Sequence, residues 1–398
     1  MTILKNRLFL AVALGHTTTD IFNSAGPVLI VFLSLSLGLS NAQIGLAAAL
    51  YTVAGSVGQP LFGWLGDRFG NRWLSGVGVL WVAGFMTLAT VTAASGQFLW
   101  VLIPYTLAAL GSAAFHPTGV ASAGGTSAGR AATTTAMFFL FGQIGLASGP
   151  VLGGALLEHR GLAGLQMLAL LAVPVSVFLL TAPHAGGHAT LRAKGSEAPA
   201  PTPGRKIAWG ALIVLAVLSA TRSWAQLGTV NFLPKLFQNK GWDPTAYGAI
   251  TGAMWFASAI MGVLAGQAAD RWGRRQVIFT AMVASAVPLY LLPLADGWSA
   301  FPLALLAGGL TGAPHSIIVV VAQALLPGRK AMASGITLGF IFAMGAVANV
   351  GIGWLADLWN LPSAMQLGAG MAVVTALLAL ALPGTRAFAA PEAETAAT

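Results

Sequence analysis

The chain has 398 residues, 57% of them hydrophobic and 7% charged, with a mean hydropathy of +0.81. Soluble domains carry about 25% charged residues, so a water-facing surface of this size cannot be covered and lipid must be the solvent. The net charge of +9 does not mark a nucleic-acid binder, because its charges cluster between apolar runs, and the lack of cysteine excludes disulfides and thiolate metal sites.

Charge, proline and glycine punctuation marks off twelve apolar stretches: 7–37, 43–66, 73–94, 98–123, 131–158, 162–182, 207–238, 243–268, 275–295, 299–326, 330–356 and 362–384. Each reaches or approaches the roughly 20 residues that cross a hydrocarbon core, and the longer ones imply tilt. The first is long enough to stay as a spanning helix rather than a cleaved signal. On this segmentation fifteen Lys and Arg residues fall on one side, among them Lys5, Arg68, Arg72, Arg130, Arg271, Arg274 and Arg329. Only Arg160, Lys235 and Lys240 fall on the other, and Arg222 is left inside a stretch. The excess of positive charge predicts that both termini are cytoplasmic. The alanine- and glycine-rich, lysine-poor composition suits a bacterial plasma membrane.

Residues 183–206, "PHAGGHATLRAKGSEAPAPTPGRK", read as a flexible linker, with His184 and His188 in a solvated loop. The linker separates an amino-terminal six-helix unit, 1–182, from a carboxy-terminal one, 207–398, that ends in a short disordered tail. The two units are related. "GWLGDRFGNR" at 63–72 is echoed by "GQAADRWGRR" at 266–275, so that Gly63, Asp67, Arg68 and Gly70 match Gly266, Asp270, Arg271 and Gly273 at an offset of 203. Gly70 and Gly273 permit tight turns, the arginines hold the loops at the membrane surface, and Asp67 is placed to cap the next helix or accept from a neighbouring helix end.

These loops resemble the signature of the major facilitator superfamily and its repeat one half later. The resemblance covers the whole chain and implies an all-α fold of twelve transmembrane helices in two pseudo-symmetric bundles. In the fifth stretch, "GLASGPVLGG" at 145–154 resembles the motif of proton-coupled drug antiporters. Gly142, Gly145, Gly149, Gly153 and Gly154 make a smooth face for close helix approach, and Pro150 can bend its helix. "LGHTTTD" at 14–20 and "GSAAFHPTG" at 111–119 resemble the fosmidomycin-resistance branch, in which an acidic residue often follows the His-Pro pair, the position of Thr118 here.

Ionisable groups at bilayer depth cost about 2.5–3.5 kcal/mol on insertion scales, so each needs a partner, a wet cavity or a change of protonation. The candidates are His16, Asp20, His116, Arg222 and His315. The repeat offset maps Asp20 to position 223, beside Arg222, at nearly equal depth. The family architecture implies that the first and seventh helices line a central cavity, which predicts an Asp20–Arg222 pair across it. The pair is either a static bridge or a working one, in which Asp20 carries a proton and Arg222 anchors an anion. His16 shares a helix face with Asp20. His116 and His315, each beside a proline, are either proton exchangers or neutral rings bonded to carbonyls that the prolines free. No metal is expected there, since neither has a carboxylate or second histidine at helical ligand spacing, and no cofactor is implied.

Asn23, Gln226, Asn231, Gln143, Trp224, Trp255 and Asn349 extend the candidate substrate lining, with helix packing as their alternative role. Glu158 and Asp357, 199 apart, are either outer latches or solvated helix ends, the latter being the preferred reading. The expected function is proton-coupled efflux of a small organic compound by alternating access, by a monomer whose partners are substrate, protons and lipid. The alternative is proton-coupled import of an organic anion. A sensor lacks an effector domain, an enzyme lacks a nucleophile–base set, and a passive channel fits poorly with charges at matched depth.

Overall fold

The structure, a computed structural model, describes residues 3–127, 131–183, 208–326 and 330–383. The linker at 183–206, apart from Pro183, and the tail after 383 lie outside them. Among the described residues the chain is all-α. The helices are α1 (Arg7–Ser36), α2 (Asn41–Phe69), α3 (Asn71–Thr92), α4 (Phe98–Gly125), α5 (Ala131–Met167) and α6 (Ala169–Thr181) in the first half. In the second half they are α7 (Trp209–Ser223), α8 (Thr229–Asn239), α9 (Pro244–Trp272), α10 (Arg274–Leu291), α11 (Ala300–Gly312), α12 (Pro314–Leu325), α13 (Lys330–Leu358) and α14 (Leu361–Ala381).

Local chemistry sets the ends. Asn6 caps α1 by accepting from the Leu8 and Phe9 amides at 3.0 Å each. Ser40 and Gln43 form a capping box at α2, while Asp243 followed by Pro244 starts α9. The repeated loops turn as their glycines predict, with Gly70 at φ 94°, ψ 140° and Gly273 at φ 92°, ψ 140°. Asp67, however, does not cap α3, which starts at Asn71 with Gly70 in the N-cap position and no side-chain cap.

Among the described residues, eleven stretches are long and apolar enough to cross a membrane. The fifth and sixth sequence stretches run together as Thr133–Thr181, 49 residues that bend at Gly161 (φ 58°, ψ −149°). That length is roughly 74 Å of helix, far more than one ~30 Å crossing, and the bend divides it into two arms. In the tenth stretch α11 passes into α12 at Ala313, whose φ −48°, ψ −45° stays helical, so Gly297–Leu325 runs as one span.

Burial separates inner from outer helices. The most apolar window of α1 is 78% buried, and those of α4 and of Gly297–Leu325 are 61% buried, against 33% for α2. Leu61, Trp64, Leu99 and Val263 point outward as an apolar surface suited to lipid. Within the first half α1 packs on α5 and α3 on α4, and within the second α9 packs on α11 and α10 on α14. The halves meet through α2 against α13 and α5 against α9.

The glycine face of α5 is where α1 comes closest. A Cβ on Gly145 would strike the Thr17 carbonyl and stand 2.8 Å from Asp20 Cβ, and one on Gly149 would strike Ser24 and the Ile21 carbonyl. Gly154 serves the other half, meeting Pro244 and Gly248 at the start of α9. We therefore expect Gly145→Leu to destabilise the detergent-solubilised protein by about 1–3 kcal/mol through overpacking. Gly84→Leu, where a Cβ would meet nothing within 4 Å, should leave the thermal melt unchanged.

Candidate functional site: a His–Asp–His cluster and a lone arginine

Asp20 is the fourteenth residue of the 30-residue α1, roughly 20 Å along its axis, and is buried. Its Oδ2 lies 3.2 Å from His16 Nε2 and its Oδ1 lies 3.4 Å from His116 Nε2. Asn23 Nδ2 donates to Oδ1 at 2.8 Å and to Ser112 Oγ at 3.0 Å, while the Tyr51 hydroxyl donates to Asn23 Oδ1 at 2.6 Å. His16 reaches Asp20 because four residues are one helical turn. His116 arrives from α4, where its side chain is 23% exposed.

The tautomers follow from the acceptors. His16 Nδ1 lies 2.7 Å from the Phe138 carbonyl and His116 Nδ1 lies 2.8 Å from the Ser112 carbonyl. A carbonyl only accepts, so both Nδ1 atoms carry hydrogens and both Nε2 atoms are left facing the carboxylate. Neutral rings would then set lone pair against lone pair, so something positive must lie between them. The Ser112 carbonyl is not the one that Pro117 frees. Four residues before that proline stands Ala113, so His116 is oriented by the ordinary geometry of its own turn.

The expected Asp20–Arg222 pair is not formed. Asp20 faces α5 and α4 within its own half, and Arg222 does the same in the second half. Arg222 Nε donates to the Thr311 carbonyl at 2.9 Å and Nη1 to His315 Nδ1 at 3.2 Å. Because the guanidinium can only donate, His315 Nδ1 accepts and its ring is neutral. Equal depth in a repeat fixes height in the membrane but not the direction in which a side chain points, and each half turns its ionisable groups into its own bundle.

A π-helical segment, Trp224–Gly228, begins two residues after Arg222 and joins α7 to α8, a feature that marks functional sites in many helices. Nothing in the residue types announces it. Gln226, within it, donates to Ser258 at 2.7 Å, and Asn231 donates to Asn349 at 3.2 Å. Trp224 Nε1, Thr229 Oγ1 and Asn349 Nδ2 are buried without a hydrogen-bond partner among the described residues, so polar capacity is left unused beside Arg222. Gln143 on α5 and Trp255 on α9 are half-buried and belong to neither cluster. Asp67, Arg68 and Gly70 lie where α2 gives way to α3, and Asp270, Arg271 and Gly273 where α9 gives way to α10, while Gly63 faces Pro117 beside His116.

At the opposite end the halves are fastened. Asp357, at the end of α13, accepts from the Asn41 amide, Asn41 Nδ2 and the Ala42 amide, all at 2.9 Å. Asp357 is solvent-facing, as a solvated helix end would be, and it is a latch as well, since the first turn of α2 presents amides that need acceptors. Lys235 donates to Ser34 at 3.1 Å and Gln238 to the Val31 carbonyl at 2.7 Å beside it.

Two buried ionisable clusters, one in each half of a duplicated bundle whose halves close on each other at one end, define a membrane transporter. The chain belongs to the Major Facilitator Superfamily, whose family model matches residues 8–238 and 212–397. It is 26% identical to the Fosmidomycin resistance protein of Escherichia coli (strain K12) over 94% of this chain and 92% of that protein. It is 28% identical to the class C Tetracycline resistance protein of Escherichia coli over 69% of this chain and 70% of that one. In fold it is similar to a bacterial homologue of the human lysosomal transporter Spinster, solved inward-facing and occupied. That match has a TM-score of 0.78 at 14% identity and covers 94% of this chain and 96% of that chain.

Because Asp357 is solvent-facing, its bonds are worth about 1 kcal/mol in total, roughly a five-fold shift in equilibrium. Asp357→Ala should therefore raise the labelling rate of a single cysteine at Ser34, in this cysteine-free chain, about five-fold with a membrane-impermeant thiol reagent.

Proposed function

We propose that the chain is a proton-coupled exporter of small organic compounds working by alternating access in a bacterial plasma membrane, with twelve crossings and cytoplasmic termini. The observation that carries this reading is the His16–Asp20–His116 cluster, in which two Nε2 lone pairs and a carboxylate converge and must share positive charge. A proton held between them satisfies the site while it is buried, and wetting of His116 from the cavity supplies the route for its release. The names of two relatives, resistance proteins for fosmidomycin and tetracycline, support export rather than import.

Arg222 takes the substrate side of this scheme. It is buried, and its partners among the described residues, Thr311 and His315, are neutral. A buried guanidinium without a carboxylate calls for an anion, and the polar groups of Trp224, Thr229 and Asn349 lie along the next turns of its helix and on facing α13. The same feature would serve a symporter that imports an organic anion, which makes direction the decisive measurement. Closure through Asp357 and the exposure of His116 fit a state open to the arginine-rich, cytoplasmic side.

In proteoliposomes with an imposed pH gradient, export predicts movement of fosmidomycin, a phosphonate, against the proton flow, and movement with it would establish the import reading. Asp20→Asn should fold and bind but lose gradient-driven accumulation; unchanged coupling in that variant would remove Asp20 from the proton site. Arg222→Gln should weaken handling of the phosphonate about ten-fold or more, the value of a hydrogen-bonded charge contact. An unchanged apparent affinity would exclude Arg222 as the anion anchor.

A further inference from the structure

His16, Asp20 and His116 bring two imidazole nitrogens and a carboxylate oxygen together inside one 4.8 Å envelope. The sequence view that no ligand set gathers around His116 overlooked that its carboxylate comes from another helix. Three observations make the group more than a pair of ion pairs. The contacts are long, at 3.2 and 3.4 Å, where charge-assisted bonds between such groups close to about 2.7–2.9 Å. Ligand atoms around a tetrahedral ion with bonds of about 2.0–2.2 Å stand roughly 3.3–3.6 Å apart; the two histidine–carboxylate separations, one to each oxygen of Asp20, are close to that, and all three ligand atoms fall within 4.8 Å of one another.

The second observation concerns orientation. Both rings donate their Nδ1 hydrogens to backbone carbonyls, Phe138 and Ser112, the arrangement that fixes a metal-binding histidine with Nε2 free to ligate. Asp20 is steadied in turn by Asn23. The third is rigidity. His16 is stacked on Phe138 with ring centroids 4.0 Å apart, and a Cβ on Gly142 would strike its ring, so α5 walls the site on one side. The exposed flank of His116 leaves a fourth position open.

We infer that His16, Asp20 and His116 form a three-ligand binding site for a single divalent transition-metal ion of the zinc class, with the fourth position open to the cavity. Imidazole and carboxylate donors suit Zn2+ and Co2+, while Mg2+ asks for more oxygen ligands than are present. The site is the same cluster that the proposed function uses. A bound ion occupies the lone pairs that would hold the proton and ties α1 to α4, so Zn2+ acts as a blocker of transport.

The test uses the full-length, tag-free protein in detergent, titrated with Co2+ and read by visible absorption, where tetrahedral coordination gives intense bands. The wild type should show such bands, and Zn2+ should displace them and raise the melting temperature. Asp20→Asn and His116→Gln should each weaken Co2+ binding at least about ten-fold. Absence of tetrahedral bands in the wild type, or bands unchanged in both variants, would overturn the site. The wild-type spectrum and melt need no variant to fold. Neither readout involves a pH gradient. If Co2+ fails to bind while Asp20→Asn abolishes coupling, the metal site falls and the proton reading stands. If Co2+ binds and coupling survives Asp20→Asn, the reverse holds.

Discussion

The controlling constraint is that a charge inside a bilayer must be compensated where it sits, because no water is there to do it. This chain meets the constraint twice and separately. In the first half a carboxylate collects two histidines and an asparagine, and in the second a guanidinium collects a carbonyl and a neutral imidazole. The two compensations differ in kind: one gathers partners around a carboxylate, and the other leaves positive charge without an anionic complement among the described residues. Duplication supplied a common scaffold, and the two copies put different chemistry at the same height.

Packing delivers these groups. Without a hydrophobic drive between helices in lipid, close approach depends on small side chains. Gly142, Gly145 and Gly149 let α1 lie against α5 so closely that the His16 ring and the Asp20 carboxylate are held against bare backbone. The same glycine-rich segment ends at Gly154, against α9 of the other half, so one stretch of sequence both shapes the ionisable cluster and touches the surface along which the halves meet.

Much of this was legible in the sequence because it rests on residue types with few alternatives. A glycine at each turn between the second and third stretches of a half announces positive φ, and Asp20 in an apolar run announces a buried site. Partner choice was not legible. Periodicity gives depth along a helix but not the neighbour it faces, so Asp20 and Arg222 looked paired when each had turned into its own half. The Phe138 and Ser112 carbonyls, which set the tautomers, leave no trace in residue identity because every residue carries one. The π-helical turn after Arg222 has no side-chain signature either, whereas Pro314 does mark the start of α12.

The fastening of α2 to α13 has its own consequence. Helix α2 begins with amides that no intrahelical carbonyl can reach. Ser40 takes the Gln43 amide, whereas the Asn41 and Ala42 amides are taken by Asp357 on the other half. The first turn of α2 is therefore completed only when the halves are together. Parting them would leave two amides and a carboxylate to water alone, so at this solvent-facing end the one half finishes the helix of the other.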